Sequence, residues 1–378
     1  MERDQALAFM HDLLKLMVSK KAADLFITAG FPPAFKIDGK VIPQSNQTLT
    51  FQHTAELARA IMNDKQAAEF EASRECNFAI SPGGIGRFRV NVFYQQGRIG
   101  AVLRRINTRI PTMDELELPQ TLRNLAMVDR GLILVVGGTG SGKTTTLAAM
   151  IDHRNRNTQG HIVCLEDPIE YVHEHQQCVV TQREVGVDTE SWHVALKNAM
   201  RQSPDVILMG EVRDRESMEF ALHFAETGHL CMATLHATNS YQALDRVINF
   251  FPEERRQQLL MDLSLNLKGM ISQRLVPRLG SKGRCAAVEI LLNSPYIADL
   301  IFKGEVSSIK DAMARAREEG MQTFDQALFD LYEAGRINQD DALRFADSVN
   351  QVRLQIRLNS KDAKERDLTS GIKQLDIV

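Results

Sequence analysis

The sequence predicts an α/β protein in two domains, the second built on a parallel sheet around a phosphate-binding loop. Three observations carry that expectation. The chain has 378 residues, beyond the ~100–200 of one ordinary domain. Short apolar runs at 132–136, 162–165, 206–209 and 230–233 are separated by helical stretches, which suits strands buried on both faces of a parallel sheet. The first of these runs leads into a glycine-rich segment with the spacing of a phosphate loop.

Composition sets the outer bounds. With 44% apolar and 25% charged residues the chain is ordinary for a globular protein. Lys plus Arg number 45 against 48 Asp plus Glu, a formal charge of −3. That balance excludes a chain drawn onto DNA or an anionic membrane by its net charge. No apolar run approaches the ~20 residues of a membrane helix, and Glu2 and Asp4 stand where a secretory signal would be basic and then apolar. The five cysteines never form a C-x-x-C pair, so neither a zinc ribbon nor a disulfide framework is indicated. The expected compartment is the cytoplasm.

Leu7, Met10, Leu14 and Met17 recur at helical spacing and predict an amphipathic first helix. A strand follows at 24–30, then a hairpin turning at Asp38-Gly39, a dipeptide that tolerates positive φ at both central positions. Residues 86–94 and 98–106 alternate apolar and polar as two further strands, joined at Gln95-Gln96-Gly97. The first domain is placed at 1–107, with Pro111 and Pro119 bounding a linker at 108–119. The second domain runs over 120–348 and ends in helices near 297–303, 306–318, 323–334 and 339–348. A tail at 349–378 closes the chain. In it Val352, Leu354, Ile356 and Leu358 alternate with polar residues, predicting a strand that adds to a partner's sheet edge.

Gly137, Gly138, Thr139, Gly140, Ser141, Gly142, Lys143 and Thr144 fit G-x-x-x-x-G-K-S/T at every fixed position. Glycines let backbone N–H groups close around phosphate oxygens, and the helix that begins here, running on through Thr145, adds its positive end. Lys143 is expected to reach the β- and γ-phosphates and Thr144 to ligate Mg²⁺. Phosphoryl transfer needs carboxylates as well, one for the metal shell and one to orient water. Glu211 ends the apolar strand at 206–209, after a glycine that permits close approach, and Glu166, Asp167 and Glu170 end the strand at 162–165. Spacing alone leaves open whether Glu170 or Glu211 activates water.

These segments together resemble the secretion ATPase superfamily, in particular the type IV pilus retraction ATPases of the PilT and PilU type. GGTGSGKTTT (137–146) resembles the family's Walker A, EDPIEYVH (166–173) its Asp box, LMGEVRD (208–214) its Walker B and TGHLCMATLHAT (227–238) its His box. QREVGVDT (182–189) and ISQRLVPR (271–278) also read as family sequence. The resemblance implies a PAS-like N-terminal domain, a RecA-like ATPase domain with C-terminal helices, and a homo-hexameric ring that hydrolyses ATP with Mg²⁺. By position in the boxes, Glu170 would be the general base and Glu211 the Mg²⁺-shell carboxylate. His229 and His236 would sense nucleotide or couple subunits. Arg89 and Arg104, on consecutive strands of the first domain, would be the arginine fingers.

Extension and type II secretion members usually carry a further N-terminal domain and a four-cysteine zinc site, neither of which is seen here, which favours the retraction branch. PilT-type members carry Ala-Ile-Arg-Asn-Leu-Ile-Arg in the C-terminal helices. Here the segment is Tyr296-Ile-Ala298-Asp-Leu-Ile-Phe302, with both arginines replaced. The resemblance therefore implies a PilU-type accessory motor. It would work beside a PilT-like retraction ATPase and an inner-membrane pilus platform protein, at the cytoplasmic face of that membrane. Two other readings share the phosphate loop: a ring subunit that binds ATP without turnover, and a RecA-like nucleic-acid motor. With 6% aromatic residues, one Trp and no long Lys/Arg run, no nucleic-acid partner is expected.

Overall fold

The computed structural model describes residues 2–106, 109–280 and 283–360. They separate into two compact units. The first comprises the described residues up to Ile110 together with Pro168–His173 and Arg183–Ser191; the second holds the remainder.

The first unit contains α1 (Arg3–Ser19), β1 (Asp24–Ile27), β2 (Ala34–Ile37), β3 (Lys40–Pro43), α2 (Phe51–Ala60), α3 (Asp64–Ser73), β4 (Glu75–Ile80), β5 (Arg87–Gln95) and β6 (Arg98–Ile106). Its six strands form one sheet in the order β3-β2-β1-β6-β5-β4, with antiparallel pairing throughout. The β2–β3 turn places Asp38 and Gly39 at φ 48° and 80°, and the β5–β6 turn places Gln96 and Gly97 at 49° and 72°. Both are the positive-φ turns whose twist matches that of the flanking strands. Met10, Leu14 and Met17 of α1 are buried in a core with Leu25, Leu57 and Leu103.

The second unit contains α4 (Gln120–Ala126), β7 (Gly131–Val136), α5 (Lys143–Asn157), β8 (Gly160–Glu166), β9 (Cys178–Glu184), α6 (Trp192–Ala199), β10 (Val206–Met209), α7 (Arg215–Glu226), β11 (Leu230–Leu235), α8 (Ser240–Asn249), α9 (Glu253–Asn266), β12 (Leu267–Pro277), β13 (Arg284–Leu292), α10 (Pro295–Lys303), α11 (Ile309–Arg315), α12 (Phe324–Glu333), α13 (Gln339–Arg344) and α14 (Val349–Asn359). Its sheet runs β13-β12-β7-β11-β10-β8-β9, the last two residues of β9 belonging to the first unit. The four strands read as apolar runs pair in parallel, with β12 parallel to β7 and β13 antiparallel to β12. Leu132, Leu134 and Val136 face one core while Ile133 and Val135 face another, as a period of two requires. Met113 and Leu118, within the expected linker, are buried in that second core.

The expected strand at 352–358 is not formed. These residues lie in α14, capped by the Ser348 side chain, which accepts from the Gln351 N–H. Val352 and Ile356, four apart and so on one helical face, are buried with Val276, Phe324 and Leu328. Leu354 and Leu358 face outward. Burial of Val352 and Ile356 on one helical face won over the period-two pattern, leaving Leu354 and Leu358 in solvent. The rest of the expected tail, from 361, lies outside the described residues.

Candidate active site

The phosphate loop joins β7 to α5. Gly137, Gly140 and Gly142 adopt φ of 159°, 77° and 91°, and Gly142 forms the N-terminal boundary of α5. A Cβ on Gly138 or Gly140 would meet open space, so the inner rim of the loop is bare backbone. Among the described residues Ser141 Oγ is buried without a hydrogen-bond partner. Lys143, 8% exposed, folds its Nζ onto the carbonyls of Gly137 and Gly138 at 2.8 and 2.9 Å. Burial pushes its pKa down, and Glu211 opposes that shift. A cavity of about 260 Å³ opens beside the loop, lined by its residues 138–141 and by Thr238, Gln273 and Arg274 among others. A cationic amine, a helix N-terminus and an orphaned hydroxyl around bare backbone fit a polyphosphate.

Glu211 follows β10, where Gly210 donates its N–H to Leu165 O at 2.8 Å. A Cβ on Gly210 would stand 3.3 Å from Glu166 Cα and 3.5 Å from Trp192, so a side chain here would ask the two strand ends to give by a few tenths of an ångström. Beyond it Asp214 caps α7 by accepting from Ser217 N–H at 2.9 Å, which terminates the connecting loop. Glu211 Oε2 accepts from Arg213 Nε at 2.7 Å, and Oε1 lies 3.2 Å from His236 Nε2. Arg213 also reaches Asp167 at 3.5 Å. His236 has its pKa lowered by burial and by Lys143, with Glu211 acting against them. Thr144 is exposed at the start of α5. Its hydroxyl and the Glu211 carboxylate are the hard oxygen donors that Mg²⁺ prefers. Among the described residues no group of three or more His, Cys, Asp or Glu side chains could hold a metal unaided.

The two histidines of the His box are separated. His236 follows the C-terminal end of β11, on the side of the phosphate loop. His229 precedes its N-terminal end, where its carbonyl accepts from Gly131 N at 3.0 Å and Nδ1 lies 3.1 Å from Thr227 Oγ1. Six strand residues at ~3.3 Å each hold the two about 20 Å apart. His229 therefore lies away from the phosphate loop of its own subunit, at the opposite end of the strand.

Glu170 belongs to the first unit, its Oε1 3.8 Å from Arg89 Nη2. Arg89 and Arg104 stand directly opposite each other on β5 and β6. Arg104 bonds the buried Asp24 through Nε at 2.8 Å, whereas Arg105, on the other face, reaches Val18 O. Beneath the Asp-box turn lies Glu184, almost wholly buried. Its Oε2 accepts from Ile169 N–H at 3.2 Å and lies 3.8 Å from Arg87 Nη2, and burial pushes its pKa up. Sequence reasoning passed over Glu184, Arg213 and Gln273. The motif stretches 182–189 and 271–278 held two of them, yet nothing local assigned them partners.

Against known proteins, a family model described as Type II/IV secretion system protein matches residues 9–372. The chain is 57% identical over 362 residues to the Type IV pilus ATPase PilU of Pseudomonas aeruginosa, covering 95% of each chain. It is 42% identical over 331 residues to the Type IV pilus retractation ATPase PilT of the same organism, covering 88% of this chain and 96% of that one. A crystal structure of the pilus retraction motor PilT with bound ADP matches at a TM-score of 0.85 and 39% identity, covering 91% of this chain and 98% of that one.

Proposed function

The chain belongs to the Type II/IV secretion system protein family, and from that premise we propose that it is a motor of the type IV pilus machine that drives or assists pilus retraction. It is an ATPase, with a small α/β domain followed by a RecA-like ATPase domain. The observation that carries the reading is the grouping of Lys143, Glu211 and His236 at the C-terminal ends of β7, β10 and β11. There a bare glycine loop and a paired carboxylate converge on one site.

In this reading the loop N–H groups and Lys143 bind the β- and γ-phosphates, and Lys143 leaves its two loop carbonyls to do so. Thr144 would hold Mg²⁺, with Glu211 in its shell, and the ion would supply neutralisation of phosphate charge. Glu170 orients water and takes its proton. Arg89 and Arg104 stabilise transition-state charge, one or both in trans, which requires a ring of like subunits; a homo-hexamer is the assembly proposed. Ala298 and Phe302, on α10, replace the arginines expected of an autonomous retraction motor. That favours an accessory role beside a PilT-like ATPase, in the cytoplasm against an inner-membrane platform protein. Among the described residues no helix is long and apolar enough to cross a membrane.

Two measurements test the reading. Purified chain should release phosphate from ATP, and Lys143→Ala should reduce this to background. In a twitching host lacking the chain, the wild type should restore retraction and Lys143→Ala should not. Full restoration by Lys143→Ala would remove catalysis from the function.

A further inference from the structure

We infer that Gln273 is a positioning residue for the phosphate loop, an assignment that rests on the nucleotide reading above. β12 runs parallel to β7 with Ser272 opposite Val136, so Gln273 stands beside Gly137, where the loop begins. Three contacts converge on it. Its Oε1 accepts from Thr146 Oγ1, in the first turn of α5, at 2.7 Å. Its Nε2 sits 2.6 Å from the point a Cβ on Gly142 would take, and its carbonyl oxygen 2.9 Å from the corresponding point on Gly137. Gln273 and Thr146 are both buried. One residue thus touches the glycine that opens the loop, the glycine before Lys143, and the helix that follows.

The chemistry of an amide suits this position. The Thr146 hydroxyl occupies the acceptor, which fixes the two N–H donors of Nε2 toward Gly142. A loop that gathers donors around phosphate tolerates another donor there and opposes a carboxylate. A turn built on glycines at φ 159° and 91° has little stiffness of its own. Gln273 provides that stiffness from a strand that packs against it, as a supporting shell does for a binding site.

The test compares Gln273→Met, Gln273→Glu and Lys143→Ala in the full chain, using a fluorescent ADP analogue with Mg²⁺ for binding and phosphate release for turnover. Gln273→Met keeps the length and removes both polar groups. Binding should weaken and KM rise roughly tenfold, with kcat falling by less. Gln273→Glu keeps shape and acceptor but turns a carboxylate toward the loop, so its KM should rise more than that of Gln273→Met, both read at one pH. A change confined to packing would spare the isosteric Glu. Wild-type KM in both variants, or a wild-type KM in Gln273→Glu, overturns the assignment. Should Gln273→Met fail to fold, the KM of Gln273→Glu decides. Unchanged analogue binding in Lys143→Ala overturns the nucleotide reading itself. Loss there, with wild-type behaviour at position 273, overturns only the role of Gln273.

Discussion

The Glu170 carboxylate lies 3.8 Å from the Arg89 guanidinium, which pairs the proposed base with a proposed finger. Glu170 is 46% exposed in its side chain, so the pair contributes on the order of 0–1 kcal/mol to stability. Arg89 is also one of the charges that favour ionisation of the buried Glu184. Arg89→Ala should therefore lower the thermal midpoint somewhat and, assayed below that midpoint, lower kcat by up to ~10³ if Arg89 neutralises transition-state charge. Glu170→Gln should keep ATP bound and lower turnover by roughly 10²–10⁴. A wild-type rate in Glu170→Gln with a dead Glu211→Gln would exchange the two carboxylate roles.

Arg104 offers the opposite balance. Its partner Asp24 is 3% exposed, so Arg104→Ala strands a buried carboxylate and should cost roughly 1–3 kcal/mol. Urea unfolding of Arg104→Ala, Asp24→Asn and the double variant measures this: the double variant should be more stable than the sum of the single losses implies. If Arg104 also serves a neighbouring nucleotide, mixing Lys143→Ala and Arg104→Ala subunits should restore part of the ATPase rate. No recovery in rings shown to be mixed would mean that Arg104 acts within its own subunit or not at all.

What could be read in advance follows the range of the interaction. The phosphate loop was legible because its meaning lies in eight consecutive residues, and Glu211 because an apolar strand delivers it. Asp38-Gly39 marked its hairpin for the same local reason. Gln273 was not legible: its partner Thr146 is 127 positions away, and the link exists only because β12 joins the sheet beside β7. The Arg89–Glu170 and Arg87–Glu184 pairs are likewise made by folding. The two histidines looked equivalent within one box, and only the length of β11 separates their surroundings.

His236 carries a pH prediction. Burial and Lys143 hold its folded pKa below the usual imidazole value. As pH falls from 7, the unfolded chain takes up this proton before the folded one does. Stability should therefore drop as pH passes down through the unfolded imidazole pKa toward the lower folded one. His236→Gln removes that contribution, so the difference between urea midpoints at pH 7 and pH 5 should be smaller in the variant. An equal or larger difference would show that His236 is not held neutral. The ATPase rate should also fall on the acidic side as a charged His236 competes for Glu211, 3.2 Å away.

The helix α14 supports a sharper test, because strand and helix make different predictions for the same four residues. A strand laying one face on a partner would use Val352, Leu354, Ile356 and Leu358 alike. The helix uses only Val352 and Ile356, which are 0% and 6% exposed, while Leu354 and Leu358 are 56% and 64% exposed. Ile356→Ala empties space against the core of Val276, Phe324 and Leu328 and should cost about 2–4 kcal/mol. Val352→Ala should cost somewhat less, since fewer methyl groups leave. Leu354→Ala and Leu358→Ala should each stay within about 0.5 kcal/mol of wild type. Urea unfolding of the four variants separates the two arrangements. Equal losses at all four positions would mean that this segment is not the helix described. Loss confined to 352 and 356 leaves Leu354 and Leu358 as the residues to vary when binding to a PilT-like partner is measured, since they can change without disturbing the fold beneath them.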